Sequence, residues 1–298
     1  YEKFRNHYEK NGIYSPNFED EFLSISSEEK EEPFPFIPEF FEGNRYKLMQ
    51  HQRAAIQKWS AADYEGIMAL ATGAGKTVTA LHAAVRLAQA HKTTYQKNLF
   101  LVVAVPYQVL ADQWAGVMQN YGIYPIKCYK SQSHWSTKLS EEISNALIST
   151  TPHFLAMIVV NASLSKDTFQ TQISRISRSE LLFVGDECHH HASGNTSKNL
   201  PDARYRLGLS ATPWSSTDAD EKKDTLTEYY GAIIASYQLS DALNDGVLTP
   251  YKYHIHQVTL TDEELESYEA SSKRLSELIA AQEAGTSVNQ DDILFLNL

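Results

Sequence analysis

Several things that would point to other functions are scarce in this chain of 298 residues. Long apolar runs are missing, and none approaches the ~20 residues that a helix needs to cross a bilayer. Cysteine is nearly absent: only Cys128 and Cys188 occur. Two thiols argue against a disulfide scaffold and fit a reducing cytosol, so the expected location is cytoplasmic with no membrane partner. Positive charge is also short, with 26 Lys and Arg against 37 Asp and Glu and a net charge of -11. A strongly basic footprint, the usual companion of phosphate binding, is lacking. The acidic balance excludes tight gripping of a polyanion by bulk charge. It leaves room for a local track of backbone amides and a few Lys or Arg side chains. The first residues, YEKFRNHYEK, are charged and have no apolar core, so they do not read as a signal peptide. They also lack an initiator Met, and the expectation is a fragment of a longer protein. No internal repeat is visible.

What is present is a globular pattern, with 42% hydrophobic residues. Residues 1–45 carry the acidic, proline-containing stretch EEKEEPFPFIPEF, which predicts a leading segment or linker whose apolar residues dock on the domain that follows. From about 46 to 213 strand-like and helix-like segments alternate, within an expected ATP-binding domain of 46–250. Strands are expected at Gly66–Leu70, Asn98–Val105, Phe154–Val160, Leu181–Gly185 and Tyr205–Ala211. Helices are expected at Thr77–Ala90, where Val78, Leu81, Val85 and Ala88 share a face, and at Tyr107–Gln119, with Leu110, Trp114 and Val117. Such alternation predicts an α/β fold: a mostly parallel sheet with helices on both faces, binding ligands at the carboxyl ends of its strands. Residues 214–298 differ: WSSTDADEKKD is expected to be a polar loop, and 251–298 stand apart from the domain. A Thr261–Glu264 capping box opens a helix there, with Leu265, Tyr268, Leu275 and Ile279 along its apolar side.

The most informative motif is ATGAGKT, Ala71 to Thr77, between a strand and a helix. That is the context a phosphate loop requires. Gly73 and Gly75 let the backbone turn its N–H groups of Thr72 to Thr77, Ala74 included, toward phosphate oxygens. The helix start adds partial positive charge. Lys76 would face the β- and γ-phosphates of ATP, and Thr77 would place its hydroxyl on Mg²⁺. The general pattern asks for a Gly where Leu70 stands.

Downstream, LLFVG runs into Asp186-Glu187-Cys188-His189-His190-His191. A carboxylate at a strand end beside a phosphate loop is where a second magnesium contact is needed, and its neighbour can deprotonate the attacking water. Asp186 is therefore the expected metal-site residue and Glu187 the expected base, with His189 in the nucleotide site. A zinc site built from Cys188 and the histidines is the rival reading, but adjacent ligands on one short loop rarely converge on one metal. His190 and His191 are expected to be solvated loop residues.

Taken together these residues resemble the motifs of superfamily-2 DEAD/DEAH-like helicases. ATGAGKT resembles motif I, Asp186-Glu187-Cys188-His189 a DEAH-like box, and Ser210-Ala211-Thr212 within GLSATP motif III. LMQHQRAAIQKW resembles the glutamine motif, which implies that Gln52 reads adenine. VPYQVLADQW resembles motif Ia and VVNASL motif Ib, so the resemblance implies nucleic-acid contacts from Pro106, Tyr107, Gln108, Asn161 and Ser163. LSDALNDGVLTPY resembles the segment after motif III in the motor subunits of type I and type III restriction enzymes. The resemblance implies a RecA-like first motor domain, a coupling role for Ser210 and Thr212, and a second RecA-like domain carrying arginine fingers. Arg204, Arg206 and Arg274 lie outside any such motif. Residues 251–298 would begin the bridge to that second domain.

Three functions stay open. The first is an ATP-dependent helicase or translocase on double-stranded DNA, in a restriction or antiphage system, with an upstream nuclease or targeting domain. The second is an RNA helicase. The third is a nucleotide-gated switch or scaffold that controls a neighbouring nuclease.

Overall fold

A computed structural model describes residues 34–41, 43–192, 194–214, 220–250, 254–256 and 258–283. The chain divides into two compact units, Tyr1–Thr249 and Pro250–Leu298.

The first unit is built on a seven-stranded sheet. In chain order its strands are β1 (Glu65–Leu70), β2 (Leu99–Val105), β3 (Ile126–Cys128), β4 (Phe154–Val160), β5 (Leu181–Asp186), β6 (Tyr205–Ser210) and β7 (Ile233–Tyr237). Across the sheet they run β3-β4-β2-β5-β6-β1-β7, and each pairs with its neighbours in parallel. Parallel strands need covered crossovers, and the helices supply them on both faces. On one face lie α1 (Gln50–Ala61), α2 (Lys76–Ala90) and α3 (Gln108–Gln119), which bury Trp59, Leu81, Val85, Trp114 and Met118. On the other lie α4 (Gln132–Ile148), the short α5 (Asn161–Leu164) and α6 (Asp167–Ile173), then α7 (Gly194–Lys198) and α8 (Asp220–Tyr230). Trp135, Leu139, Ile143, Phe169, Leu226 and Tyr230 come from this second face.

The run LFLVVAV shows why β2 is central. Leu99, Leu101, Val103 and Val105 enter the first core layer; Phe100, Val102 and Ala104 enter the second. With every side chain buried, alternation of polarity disappears, as doubly covered strands require. Each such Val, Leu or Phe contributes about 1.5–3 kcal/mol by burial.

The strands β3 and β7 and the helices α4 and α8 were not anticipated, and α8 corrects the loop expected at WSSTDADEKKD: Asp220–Asp224 form its first turns, with Leu226 and Tyr230 buried one turn apart. β3 has three residues and β7 five, and both sit at sheet edges. Short edge strands carry too few residues for a periodic signal, and brevity there limits unwanted edge pairing. Before the sheet, Phe34, Ile37 and Phe41 pack on the first core layer, and the Phe36 N–H donates to the Tyr121 carbonyl at 3.0 Å. After β7 comes α9 (Leu239–Asn244).

The second unit holds α10 (Asp262–Glu283). Its capping box is present: the Thr261 N–H donates to Glu264 Oε2 at 2.8 Å, and the Glu264 N–H to Thr261 Oγ1 at 3.3 Å. Leu265, Tyr268 and Leu275 are exposed, and the Ile279 side chain lies outside the described residues. Among the described residues no helix is long and apolar enough to cross a membrane.

Candidate nucleotide site and nucleic-acid face

Because all seven strands are parallel, the loops at their carboxyl ends leave the sheet on one side. Register places Ala69 of β1 beside Ser210 of β6, and Asp186 of β5 beside Leu209. The phosphate-loop, acidic and Ser-Ala-Thr motifs are thereby brought together.

Gly73 and Gly75 take φ of 81° and 79°, the left-handed region where a side chain is strained. Space forbids one as well: a Cβ on Gly73 would come 2.7 Å from Leu248 Cδ2, and one on Gly75 would overlap the Gln52 amide nitrogen. Gly75 precedes α2 with no side-chain cap, so no side chain caps the helix's leading N–H groups. Lys76 begins that helix. Its ammonium donates to the Leu70 carbonyl at 3.3 Å and lies 3.8 Å from Glu187 Oε1. Thr72 and Gly73 are exposed, Thr77 is half-buried and Ala74 is buried.

Asp186 is buried at the end of β5, and burial pushes its carboxyl above the usual range. The Trp114 indole N–H opposes that shift by donating to Oδ2 at 2.7 Å. Glu187 also contributes through its like charge, while its backbone N–H donates to Asp186 Oδ1 at 3.0 Å. Glu187 itself has φ of 47°. A left-handed non-glycine residue costs of order 1–3 kcal/mol and clusters at functional sites. The carboxylate that this turn carries lies between Lys76 and His189, with Oε2 3.5 Å from His189 Nδ1.

His189 Nδ1 also meets Ser210 Oγ at 3.1 Å, and Ser210 Oγ accepts from the Thr212 N–H at 3.2 Å. One hydroxyl thus touches the acidic motif and caps the turn before Pro213. Cys188, His189 and His191 diverge. Cys188 is buried in the second core layer and His190 is exposed.

His191 corrects the expectation of a solvated residue: it is fully buried. It shares a hydrogen bond of 2.7 Å with the Tyr230 hydroxyl at Nδ1, and Nε2 lies 3.0 Å from Asn161 Oδ1. An amide oxygen can only accept, so Nε2 carries the proton and Tyr230 donates to Nδ1. Burial holds this imidazole neutral, with its pKa lowered to about 3. Tyr230 lies on α8, whose start was expected to be a polar loop, which is why the partner was missed.

Gln52 is buried. Its side chain accepts from the Met49 N–H at 2.8 Å and donates to the Ala74 carbonyl at 3.3 Å. His51 Nε2 reaches the same carbonyl at 2.9 Å and its ring stacks on Tyr237 at 3.9 Å. The glutamine motif therefore braces the phosphate loop from behind.

Val105 pairs with Val160, so Pro106–Gln108, which leads into α3, and Asn161–Ser163, which opens α5, are adjacent segments. Tyr107 and Gln108 are exposed, Pro106 and Asn161 half-buried, and Ser163 buried. Arg204 and Arg206 flank the start of β6, at the far end from Ser210, and pair with Asp63 and Glu65.

The family described as type III restriction enzyme, res subunit, matches residues 45–215. A DNA 3'-5' translocase XPB2 of Sulfurisphaera tokodaii is 26% identical over 255 residues, covering 84% of this chain and 48% of that protein. The SauCOLORF180P endonuclease subunit of a type I restriction enzyme of Staphylococcus aureus is 22% identical over 197 residues, covering 65% of this chain and 20% of its own. The chain thus spans about half the length of the first and a fifth of the second. Among solved structures, the ATP-dependent type ISP restriction-modification enzyme LlaBIII bound to DNA superposes with TM-score 0.52 at 18% identity, over 70% of this chain and 16% of that one. A nuclease-deletion mutant of the type ISP enzyme LlaGI, in complex with a DNA substrate mimic, gives TM-score 0.51 at 15% identity, over 79% and 22%. These two share the fold.

Proposed function

The chain belongs to the type III restriction enzyme res-subunit family, within the superfamily-2 helicases, and from that premise we propose that it is the ATP-binding half of a DNA translocase or helicase. The observation that carries the reading is the convergence of Lys76, Asp186 and Glu187 where β1 enters α2, with 3.8 Å between Lys76 and Glu187.

The residues fit ATP and magnesium. Two left-handed glycines leave a cradle that a Cβ would fill, and α2 opens without a side-chain cap. Amide N–H groups and the Lys76 ammonium supply the positive field that a triphosphate needs. A magnesium ion held by Thr77 and Asp186 would neutralise charge on the phosphates. Trp114 holds the Asp186 carboxylate in place. Glu187 accepts the proton of the attacking water, and His189 orients it. Gln52 is proposed to read adenine, and its contact with Ala74 ties it to the phosphate loop.

Duplex DNA is the proposed track, met at Pro106, Tyr107, Gln108 and Asn161; Ser163, expected as a contact, is buried in α5 and is proposed to support Asn161 instead. Such contacts reach phosphates, not base edges, because a motor must tolerate every sequence it crosses. Ser210 and Thr212 are proposed to relay the state of Glu187 and His189. A second RecA-like domain in the full-length protein would supply the arginine fingers, with 251–298 as the bridge, and an upstream nuclease or targeting domain would complete a restriction or antiphage enzyme. Without those fingers this part alone hydrolyses ATP poorly, by about 10³–10⁵ in related chemistry. The two buried free thiols suit a cytoplasmic location.

The test is ATP turnover by the full-length protein with duplex DNA, single-stranded DNA and RNA. Stimulation by duplex is expected, and Lys76→Ala should abolish it. Glu187→Gln should keep nucleotide binding and lose about 10²–10⁴ in rate. Stimulation by RNA alone would favour an RNA helicase. Nucleotide binding without turnover would favour a gated switch.

A further inference from the structure

The chain is acidic overall, yet lysines gather in one place outside the site described above. A groove of about 470 Å³ runs along the edge strand β3 and past its carboxyl end, lined in part by Lys127, Lys130, Ser131, His134, Trp135 and Lys138. Asp112 is the acid nearest to it, 2.7 Å from Lys127 and 3.9 Å from Lys130, so one carboxylate faces two ammoniums. Lys138 and His134 are exposed. Glu141 and Glu142 lie a turn further down α4 and do not line the groove.

Position gives this cluster a meaning. Cys128 pairs with Val159, and Val160 pairs with Val105, so the loops after β3, β4 and β2 emerge side by side. Strands lie about 4.8 Å apart, which keeps neighbouring loops within about 10 Å. Lys130 follows Cys128 by two residues, and a left-handed turn there, φ 66°, carries the chain into α4. The first turns of α4 and α6 are joined by Gln132 donating to Thr168 Oγ1 at 2.7 Å. Lys166, exposed, precedes α6 on this same surface.

We propose that this groove is a third station on the nucleic-acid path, where Lys130 and Lys138, flanked by Lys166, bind backbone phosphates of duplex DNA beyond the loops after β2 and β4. The inference rests on the proposed function and extends it to residues outside the helicase motifs. Duplex is favoured over a single strand by what the groove lacks. Its aromatic residues, Tyr129 and Trp135, are buried at 2% and 3% exposure. Binding of unpaired bases depends on exposed aromatic platforms for stacking. Lysines along a track suit phosphates alone, with no sequence preference.

The experiment measures affinity of the 298-residue chain for a duplex of arbitrary sequence, by fluorescence anisotropy, over a series of salt concentrations. Each lysine–phosphate contact adds about 0.9 to the slope of log K against log salt. Lys130→Gln with Lys138→Gln should lower that slope by about 1.8 and weaken binding, leaving nucleotide affinity and melting temperature as they were. The control removes two exposed lysines near the opposite end of the strands, Lys58→Gln with Lys97→Gln, and should leave the slope unchanged. An equal fall in both pairs would mean bulk charge and overturn the groove. So would an unchanged slope in the first pair while the unaltered chain binds duplex. Failure of the unaltered chain to bind duplex at all would overturn the proposed function together with this inference, and tighter binding of a single strand of equal length would overturn the choice of duplex.

Discussion

Gly185, just before Asp186, invites a double-mutant test. Its φ is not left-handed, so conformational freedom does not explain a glycine in the middle of a sheet. Space does. A Cβ there would overlap the Tyr230 hydroxyl and stand 2.8 Å from His191 Cε1 and 2.9 Å from Nδ1. Gly185→Ala should therefore cost about 1–3 kcal/mol, the range for overpacking a dense core. At this size each kcal/mol lowers the melting temperature by roughly 2–4 °C. Tyr230→Phe removes the hydroxyl and leaves the fully buried His191 Nδ1 without a donor, at about 1–3 kcal/mol. The two changes are coupled, because the phenylalanine makes room for part of the new methyl group. The double variant should be more stable than the sum of the single losses predicts, by about 1 kcal/mol. Urea unfolding of all four proteins gives the cycle. Additivity within about 0.5 kcal/mol would refute the steric argument and leave the glycine unexplained.

Trp114→Phe keeps an aromatic ring, though a smaller one, and removes the indole donor from Asp186; charged hydrogen bonds are worth about 1.5–3 kcal/mol. Magnesium-dependent nucleotide affinity should fall about tenfold or more, and an unchanged magnesium titration would reduce Trp114 to packing. Neutral His191 gives a pH signature: its pKa is lowered from 6.5 to about 3 in the fold. Below the unfolded value the unfolded state binds a proton that the native state refuses, so stability is complete above about 6.5 and is lost as pH falls toward 3. In His191→Gln the melting temperature should decline less steeply between pH 6.5 and 4.5 than in the unaltered protein; parallel curves would contradict the burial of a neutral ring. Ser210→Ala with Thr212→Ala removes a hydrogen bond to His189 and a turn cap, each worth about 0.5–1.5 kcal/mol. Translocation should drop while nucleotide affinity stays, whereas a large loss in melting temperature would show the pair to be structural.

What could be read in advance depended on how many residues carried each signal. β2 and β4 are seven apolar residues each, and such runs announce a buried parallel strand. The turn from β1 into α2 was legible because ATGAGKT puts two glycines between an apolar strand and a helix start. β3, with three residues, cannot display a period. The helix α4 could have been found: Trp135, Leu139, Ile143 and Ala146 recur at helical spacing and all are buried. His191 was misplaced because polar triplets after a strand usually face water, and only tertiary packing with Tyr230 and Phe183 reveals otherwise. Trp114 showed its apolar face in the sequence and concealed its donor. A ring can fill a core and hold a carboxylate at once, and spacing reports only the first role.

The order of strands in the sheet also sets a schedule for synthesis. β1, which feeds the phosphate loop, pairs with β6 and β7 alone, the last two strands to be made. While β2, β4 and β5 can already zip together, β1 waits through on the order of a hundred residues of elongation, roughly ten seconds at ribosomal rates. The earliest-made element of the sheet is thus the late arrival in its assembly. A ribosome stalled before Tyr205 would hold a chain in which β1 has no partner strand in the sheet. The strand that leads into ATGAGKT therefore takes its place in the sheet only after β6 has been made.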